Sequence, residues 1–309
     1  MKMLTDILYI LGNGSPWNNN EIRFSLRSIA QNGINAGKIF ICGEFPDFLS
    51  DTIIHIPASD IFPSAVNADG NIIHKVLTAC QDSRLSQQFL MINDDHILIK
   101  PIEISQIPSF HKGDMKSFPD NYWKGNYWRT RLESTMHILS SKGLPTLHYD
   151  CHTPIIFDKT IFQEIVGDFD YQSGIGYTMK SLYGNSVQPE GKLLTIEKRT
   201  VFEHKTTEEL DSLLSKSTFL AFNDNGINLS LKKWLFSHFP APSEWEIKKT
   251  DDKSIAVSEW LQSDCDFEKG CVLFSKYFSN KNLAKLFALG ETPSLRKKME
   301  YKFNTSLAE

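Results

Sequence analysis

The alternation of short apolar runs with helix-period segments over the first hundred residues constrains this chain more than any other feature. Asp6–Leu11, Lys38–Cys42, Thr52–Ile56, Gln88–Ile92 and Ile97–Ile99 are short, bounded by turn residues, and read as strands. Between them, Asn20–Ala30 places Ile22, Leu26 and Ile29 on one helical face, and Asn71–Cys80 does the same with Ile72, Val76 and Ala79. This order of strand, helix, strand, strand, helix and strand predicts an α/β fold, with a mixed, mostly parallel sheet flanked by helices. Such sheets bind ligands in the crevice at the carboxyl ends of their strands. Both polar clusters of this half, Gly12–Glu21 and Asn93–His96, follow strands and so fall at that edge.

Beyond Pro101 the chain is irregular and aromatic as far as Tyr127. Helices are expected over 129–142, 159–166, 177–183, 208–216 and 227–236, and strands before Phe157 and over Thr218–Phe222. A length of 309 residues accommodates one large domain or two small ones. A hydrophobic content of 41% with 23% charged residues is ordinary globular chemistry and excludes a disordered chain. The net charge of −4 excludes a wholly basic protein but leaves room for local basic patches. Cys42, Cys80, Cys151, Cys265 and Cys271 are odd in number and show no CxxC spacing, which favours a reducing cytoplasm. The apolar N-terminal run is broken by Asp6 and reads as a strand, not a signal peptide. No stretch approaches the roughly 20 apolar residues of a membrane span, so the chain is expected to be soluble.

Four clusters carry chemistry. In Phe89-Leu90-Met91-Ile92-Asn93-Asp94-Asp95-His96, two adjacent carboxylates follow a buried strand. They repel each other unless one holds a proton or both share a cation. A divalent metal bridging to a diphosphate, with His96 as a further ligand, is one answer. A solvated Asp-Asp turn is the other. The second cluster places Gly12, Gly14 and Ser15 in a turn before a helix start, where backbone N–H groups face a phosphate. Arg23 and Arg27, four apart, share a face and form a candidate diphosphate clamp, with Glu21 as a base or an arginine partner. An ordinary N-cap with a solvated basic face explains the same residues, and no GxxxxGK[ST] phosphate loop is present. The third cluster, Leu147–Pro154, offers His148, Asp150 and His152 as a metal or acid/base set, with no GxSxG elbow to support a serine nucleophile. In the fourth, Asn223-Asp224-Asn225 repeats the strand-then-Asn-Asp arrangement, and an Asx turn capping the next helix accounts for it locally.

In this order the four clusters resemble the Stealth family, which comprises bacterial capsule sugar-1-phosphate transferases and the catalytic chain of the animal GlcNAc-1-phosphotransferase. The matching segments are Asp6–Ser15; Asn20–Ser28 (N-E-[LI]-R-[YF]-S-L-R-S) with Phe89–Asp95; His152-Thr153-Pro154; and Phe219–Asn225 with Phe239–Glu246 (F-P-x-P-S-x-[FW]-E). The resemblance covers about residues 6–246. Departures are Ile10-Leu11-Gly12 where the family has a tryptophan-valine-aspartate ending, His96 after the paired aspartates, and no clear arginine downstream of His152.

The resemblance implies a GT-A-like catalytic domain over 1–246 and a C-terminal accessory helical segment over 247–309. It implies a UDP-sugar-type donor, Mg²⁺ or Mn²⁺, and a glycan hydroxyl as acceptor. By motif match the functional positions are Glu21, Arg23, Arg27, Asp94, Asp95, His152 and Asp224. The roles expected are metal for Asp94 and Asp95, phosphate for Arg23 and Arg27, and base for His152 or Glu21. Attack on the β-phosphorus of the donor releases a nucleoside monophosphate, and attack on the anomeric carbon releases the diphosphate. Both need charge stabilisation and a base. Sugar-1-phosphate transfer is the leading expectation and glycosyl transfer its alternative. A nucleic-acid acceptor, guided by Lys281, Lys285 and Arg296–Lys298, is a lesser alternative. The remaining class is an inactive carbohydrate-binding protein. The aromatic stretch Tyr122–Trp128 is a candidate acceptor platform.

Overall fold

Thr5–Leu11 forms strand β1 at the centre of the main sheet, with all but one of its residues buried. Burial on both faces is what a central parallel strand requires, and it explains an apolar run without alternation. The structure, a computed structural model, describes residues 4–247 apart from Pro16, Asn18, Ser173 and 188–190. From β1 the chain passes through helix α1 (Asn20–Asn32) to β2 (Ala36–Gly43) and β3 (Ile54–Ile56), stacked in that order on one side of β1. Helix α2 (Ser64–Cys80) then returns it to β4 (Gln88–Ile92) on the other side of β1. All three pairings are parallel. The reversal of strand order between β1 and β4 is a topological switch point, and it leaves a crevice at their carboxyl ends.

The chain leaves this sheet immediately after β4. Strand β5 (His96–Leu98) belongs to a second sheet, while β6 (Ile155–Asp158) closes the first as an antiparallel neighbour of β4. The second sheet has the order β7 (Lys198–Val201), β8 (Phe219–Phe222), β5, with β8 antiparallel to β5 and His96 opposite Ala221. This register brings the carboxyl end of β8 beside the turn that opens β5. The Asn-Asp pair after β8 therefore meets the Asp-Asp pair after β4. The fold is mixed α/β with a mostly parallel main sheet, as the segment order predicts.

Helix α1 lies against the seam between the sheets. Its apolar positions Ile22, Leu26 and Ile29 enter the main core. The buried polar positions Ser25, Ser28 and Asn32 face β5 instead. Ser25 donates to the His96 carbonyl at 2.6 Å, Asn32 donates to the Leu98 carbonyl at 2.7 Å, and Ser28 accepts from the Leu98 N–H at 3.0 Å. The three side chains satisfy backbone groups of β5 that buried strands must pair somewhere.

The remaining helices are α3 (Tyr127–Ser141), α4 (Lys159–Gly167), α5 (Met179–Val187), α6 (Thr207–Leu214) and α7 (Leu229–His238), each close to its expected position. Helix α2 begins seven residues before the periodic stretch and is kinked at Asn67 (φ −143°, ψ 70°). Trp123 and Trp128 pack on a small cluster with Met115, Leu132 and Leu182, so the aromatic stretch is in good part a local core. Cys42, Cys80 and Cys151 are buried free thiols. No helix among the described residues is long and apolar enough to cross a membrane. The expected C-terminal helices, Cys265, Cys271 and the lysines near position 281 lie outside the described residues.

Candidate functional site

A cleft of about 460 Å³ opens where the carboxyl ends of β1, β4 and β8 meet. Gly12, Gly14 and Ser15 come from the first, Asp94 and Asp95 from the second, and Asn223 to Asn225 from the third; Glu21 reaches in from the first turn of α1. Four carboxylates thus face one space, and no lysine or arginine among the described residues lines it. Like charges at close range favour protonation or a bound cation. Burial, then the charges of Asp95 and Glu21, push the Asp94 carboxyl up to about 8. Burial also raises Glu21, with smaller contributions from Asp224 and Asp95. Ser15 Oγ opposes this rise, standing 2.8 Å from both carboxylate oxygens of Glu21. The space above Gly12 and Gly14 is open, with no atom within 4 Å of where a Cβ would stand.

Asp95, which lines the cleft, His96 and His152 place one ligand atom each within 4.8 Å of the others. His96 Nε2 is 3.7 Å from Asp95 Oδ1, and His152 Nδ1 is 3.5 Å from Asp95 Oδ2. Both separations are long for direct hydrogen bonds. They approach the spacing of roughly 3–3.5 Å that two N/O ligands keep around one ion. Asp95 Oδ1 and His96 Nε2 are also buried without a hydrogen-bond partner. Orphaned buried polar atoms are rare and mark a missing ion or water. Burial holds His96 well below its ordinary pKa, which leaves the neutral imidazole that a metal needs. The donor set therefore fits a divalent cation. His152 reaches it from a left-handed backbone, φ 55°, unusual for a residue with a side chain.

Several of the expected residues have partners of their own. Arg23 and Arg27 do share a face of α1, but that face turns from the cleft to Glu246. Arg27 Nε and Nη2 donate to the two oxygens of Glu246 at 2.8 and 2.9 Å, and Arg23 Nη1 donates to Oε2. Ser243 donates to the same carboxylate through its backbone N–H at 2.8 Å. The pair ties the 239–246 segment to α1, and its guanidinium forks are matched by a buried carboxylate. The loop after β1 is also partly self-satisfied, because Ser15 Oγ accepts from the N–H groups of Trp17 and Asn19. His148 is fully buried among Phe118 and Trp128, and Asp150 accepts from the Lys180 and Ser181 N–H groups at the start of α5. Of the third cluster only His152 reaches the site. It stands in the donor set, which weakens its expected part as a base. Asp94 lines the cleft outside that set. The Asx caps are Asn223 for the following 3₁₀ turn and Asn228 for α7, so Asp224 is left exposed at the cleft.

No family model matches the chain, and no curated protein does. Among solved structures it is similar to the apo WbbM bifunctional glycosyltransferase, with 9% identity and a TM-score of 0.42 over 80% of this chain. It spans about half, 51%, of that longer chain. It is similar to an active-site mutant of LgtC at 8% identity and a TM-score of 0.44, covering 78% of this chain and 98% of that one. For mouse xyloside xylosyltransferase 1 in its apo form the values are 7%, 0.36, 73% and 99%. At identities and TM-scores this low, the likeness says nothing of donor, acceptor or reaction.

Sequence reasoning missed Ser25, Ser28 and Asn32 as the residues that fix β5, and with it His96. Their signal was three small or amide side chains at i, i+3 and i+7, on one face of the helix beside its apolar stripe.

Proposed function

We propose that this chain is a metal-dependent transferase of GT-A-like architecture that uses a nucleotide-sugar donor. The observation that carries the reading is an acidic cleft at the switch point, lined by no basic side chain among the described residues, whose lining residue Asp95 joins His96 and His152 in a donor set. A diphosphate entering such a cleft is repelled unless a cation accompanies it. Two imidazoles with one carboxylate favour Mn²⁺ over Mg²⁺, which prefers oxygen ligands alone. When bound, the cation supplies positive charge for the diphosphate and for the departing group.

Glu21 is the base in this reading. Its carboxylate faces the cleft and is steadied by Ser15, and its raised pKa brings it closer to the range in which a base works near neutral pH. It takes the proton of the acceptor hydroxyl as that oxygen attacks. Gly12 and Gly14 leave room for the donor. Asp224, exposed at the cleft, holds an acceptor or donor hydroxyl in this reading. Sugar-1-phosphate transfer to a glycan hydroxyl follows from the motif resemblance. The pairing of Arg23 and Arg27 with Glu246 removes two cations that phosphorus attack would use, and this favours transfer of the sugar itself as the second reading.

The test is product analysis with a labelled UDP-sugar, Mn²⁺ and a glycan acceptor. Release of UMP supports sugar-phosphate transfer and release of UDP supports glycosyl transfer, in either case abolished by Asp95→Asn. Release of neither nucleotide across a panel of nucleotide sugars counts against the proposal.

A further inference from the structure

His152 is held from behind by two buried ammonium groups. Lys180 Nζ donates to the Thr153 carbonyl at 2.6 Å, and Lys198 Nζ donates to the Cys151 carbonyl at 3.0 Å. These are the carbonyls of the residues on either side of His152. Lys180 is 5% exposed and Lys198 8%, and neither forms an ion pair with a carboxylate among the described residues. Burying a lysine amine is costly: burial lowers the pKa of both groups, Lys198 to about 7, with the charge of Asp95 and, for Lys180, that of Asp150 opposing the fall. An apolar side chain would fill either space more cheaply if packing were all that was required. The segment between the two bonds carries the left-handed His152, a conformation unfavourable for a residue with a Cβ. Such strain persists where the surroundings over-determine it. Three further bonds hold residues 150 and 151: Asp150 accepts from the Lys180 and Ser181 N–H groups, and the Cys151 thiol donates to the Phe110 carbonyl.

We propose that Lys180 and Lys198 are positioning residues, which strap the 151–153 segment so that His152 is forced into the left-handed conformation that presents Nδ1 to Asp95. The strap acts through these two backbone carbonyls, and the charges of both lysines also reach Asp95 and His96 through space. The proposal rests on the reading of Asp95, His96 and His152 as a metal set, and it names what builds that set on its strained side. The two straps come from different elements, Lys180 from α5 and Lys198 from β7, so the placement of His152 depends on how the second sheet docks on the first.

The experiment combines Lys180→Met and Lys198→Met with His152→Gly and His152→Ala. Mn²⁺ affinity is measured by calorimetry on the full chain, and thermal stability is measured without metal. In the parent background the Gly variant melts a few degrees above the Ala variant, because glycine alone takes a positive φ freely. In either Met background that gap closes, since a released segment no longer has to be left-handed. Mn²⁺ affinity of each Met variant falls 10- to 100-fold, the usual effect of losing a group that orients a ligand, and Lys198→Arg restores most of it. A gap that persists in both Met backgrounds, or Mn²⁺ affinity within twofold of the parent, overturns the proposal. If one Met variant does not fold, the other decides. If the parent binds no Mn²⁺, the metal reading fails, while the metal-free comparison of Gly with Ala still decides whether the lysines impose the strain.

Discussion

Asp94 and Asp95 are neighbours in the chain with different surroundings. Asp95 sits between two imidazoles, whereas Asp94 faces carboxylates. Its folded pKa of about 8 stands well above the ordinary carboxylate value. In the metal-free protein the folded state therefore binds more protons than the unfolded state between about pH 4 and 8. The stability tied to Asp94 is present at the acid end of that window and is lost as pH rises through it. Asp94→Asn removes the loss. In urea unfolding with a chelator present, the variant gains stability relative to the parent on going from pH 5 to pH 8; an equal difference at both pH values contradicts the assignment. At the donor set, Asp95→Asn and His152→Ala each lower Mn²⁺ affinity by more than tenfold in calorimetry, while Asp224→Asn changes it by less than either.

Helix α1 shows how one element serves three tasks by face. Its first turn gives Glu21 to the cleft, its polar stripe secures β5, and its arginines hold the 239–246 segment. The repeat of four between Arg23 and Arg27 made their common face legible. Which way that face turned was not legible, because the deciding partner, Glu246, lies 219 residues beyond Arg27. Removing one partner of a buried ion pair leaves an uncompensated charge and costs about 3–5 kcal/mol. Glu246→Ala is expected to destabilise by that order in denaturant titration, and Arg27→Met with Glu246→Met recovers most of the loss. Arg23→Gln leaves nucleotide affinity within twofold, where a phosphate clamp would lose far more. Asn32→Ala strands the Leu98 carbonyl and costs about 1–3 kcal/mol.

At the scale of the whole molecule, the alternation of strands and helices, the mostly parallel sheet and the location of the site at strand ends were all legible in the first hundred residues. Local periodicity determines these, and Asp94-Asp95 declares itself by charge next to an apolar strand. The antiparallel β6, the second sheet and the arrival of His152 beside His96 were not legible, since each depends on pairings between distant segments. Asp224 was ambiguous for the same reason: its neighbour Asn223 caps a turn as the local pattern implies, yet the register of β8 with β5 carries Asp224 to the cleft. The two most specific stretches of the motif resemblance, Asn20–Ser28 and Phe239–Glu246, turn out to be the two sides of one ion-pair lock. Both stretches thus serve to tie α1 to the 239–246 segment.

The central claim is that a divalent cation allows this acidic cleft to accept a nucleotide sugar. It is tested most directly by the thermal stability of the full chain with nucleotide sugars, Mn²⁺, both, or neither. A ligand at a hundred times its Kd stabilises the native state by about 2.7 kcal/mol, a shift of several degrees for a chain of this size. The account predicts that at least one nucleotide sugar gives such a shift with Mn²⁺ present and little or none with a chelator, and that Asp95→Asn abolishes it. A shift of equal size with and without the cation, or no shift with any nucleotide sugar, contradicts it.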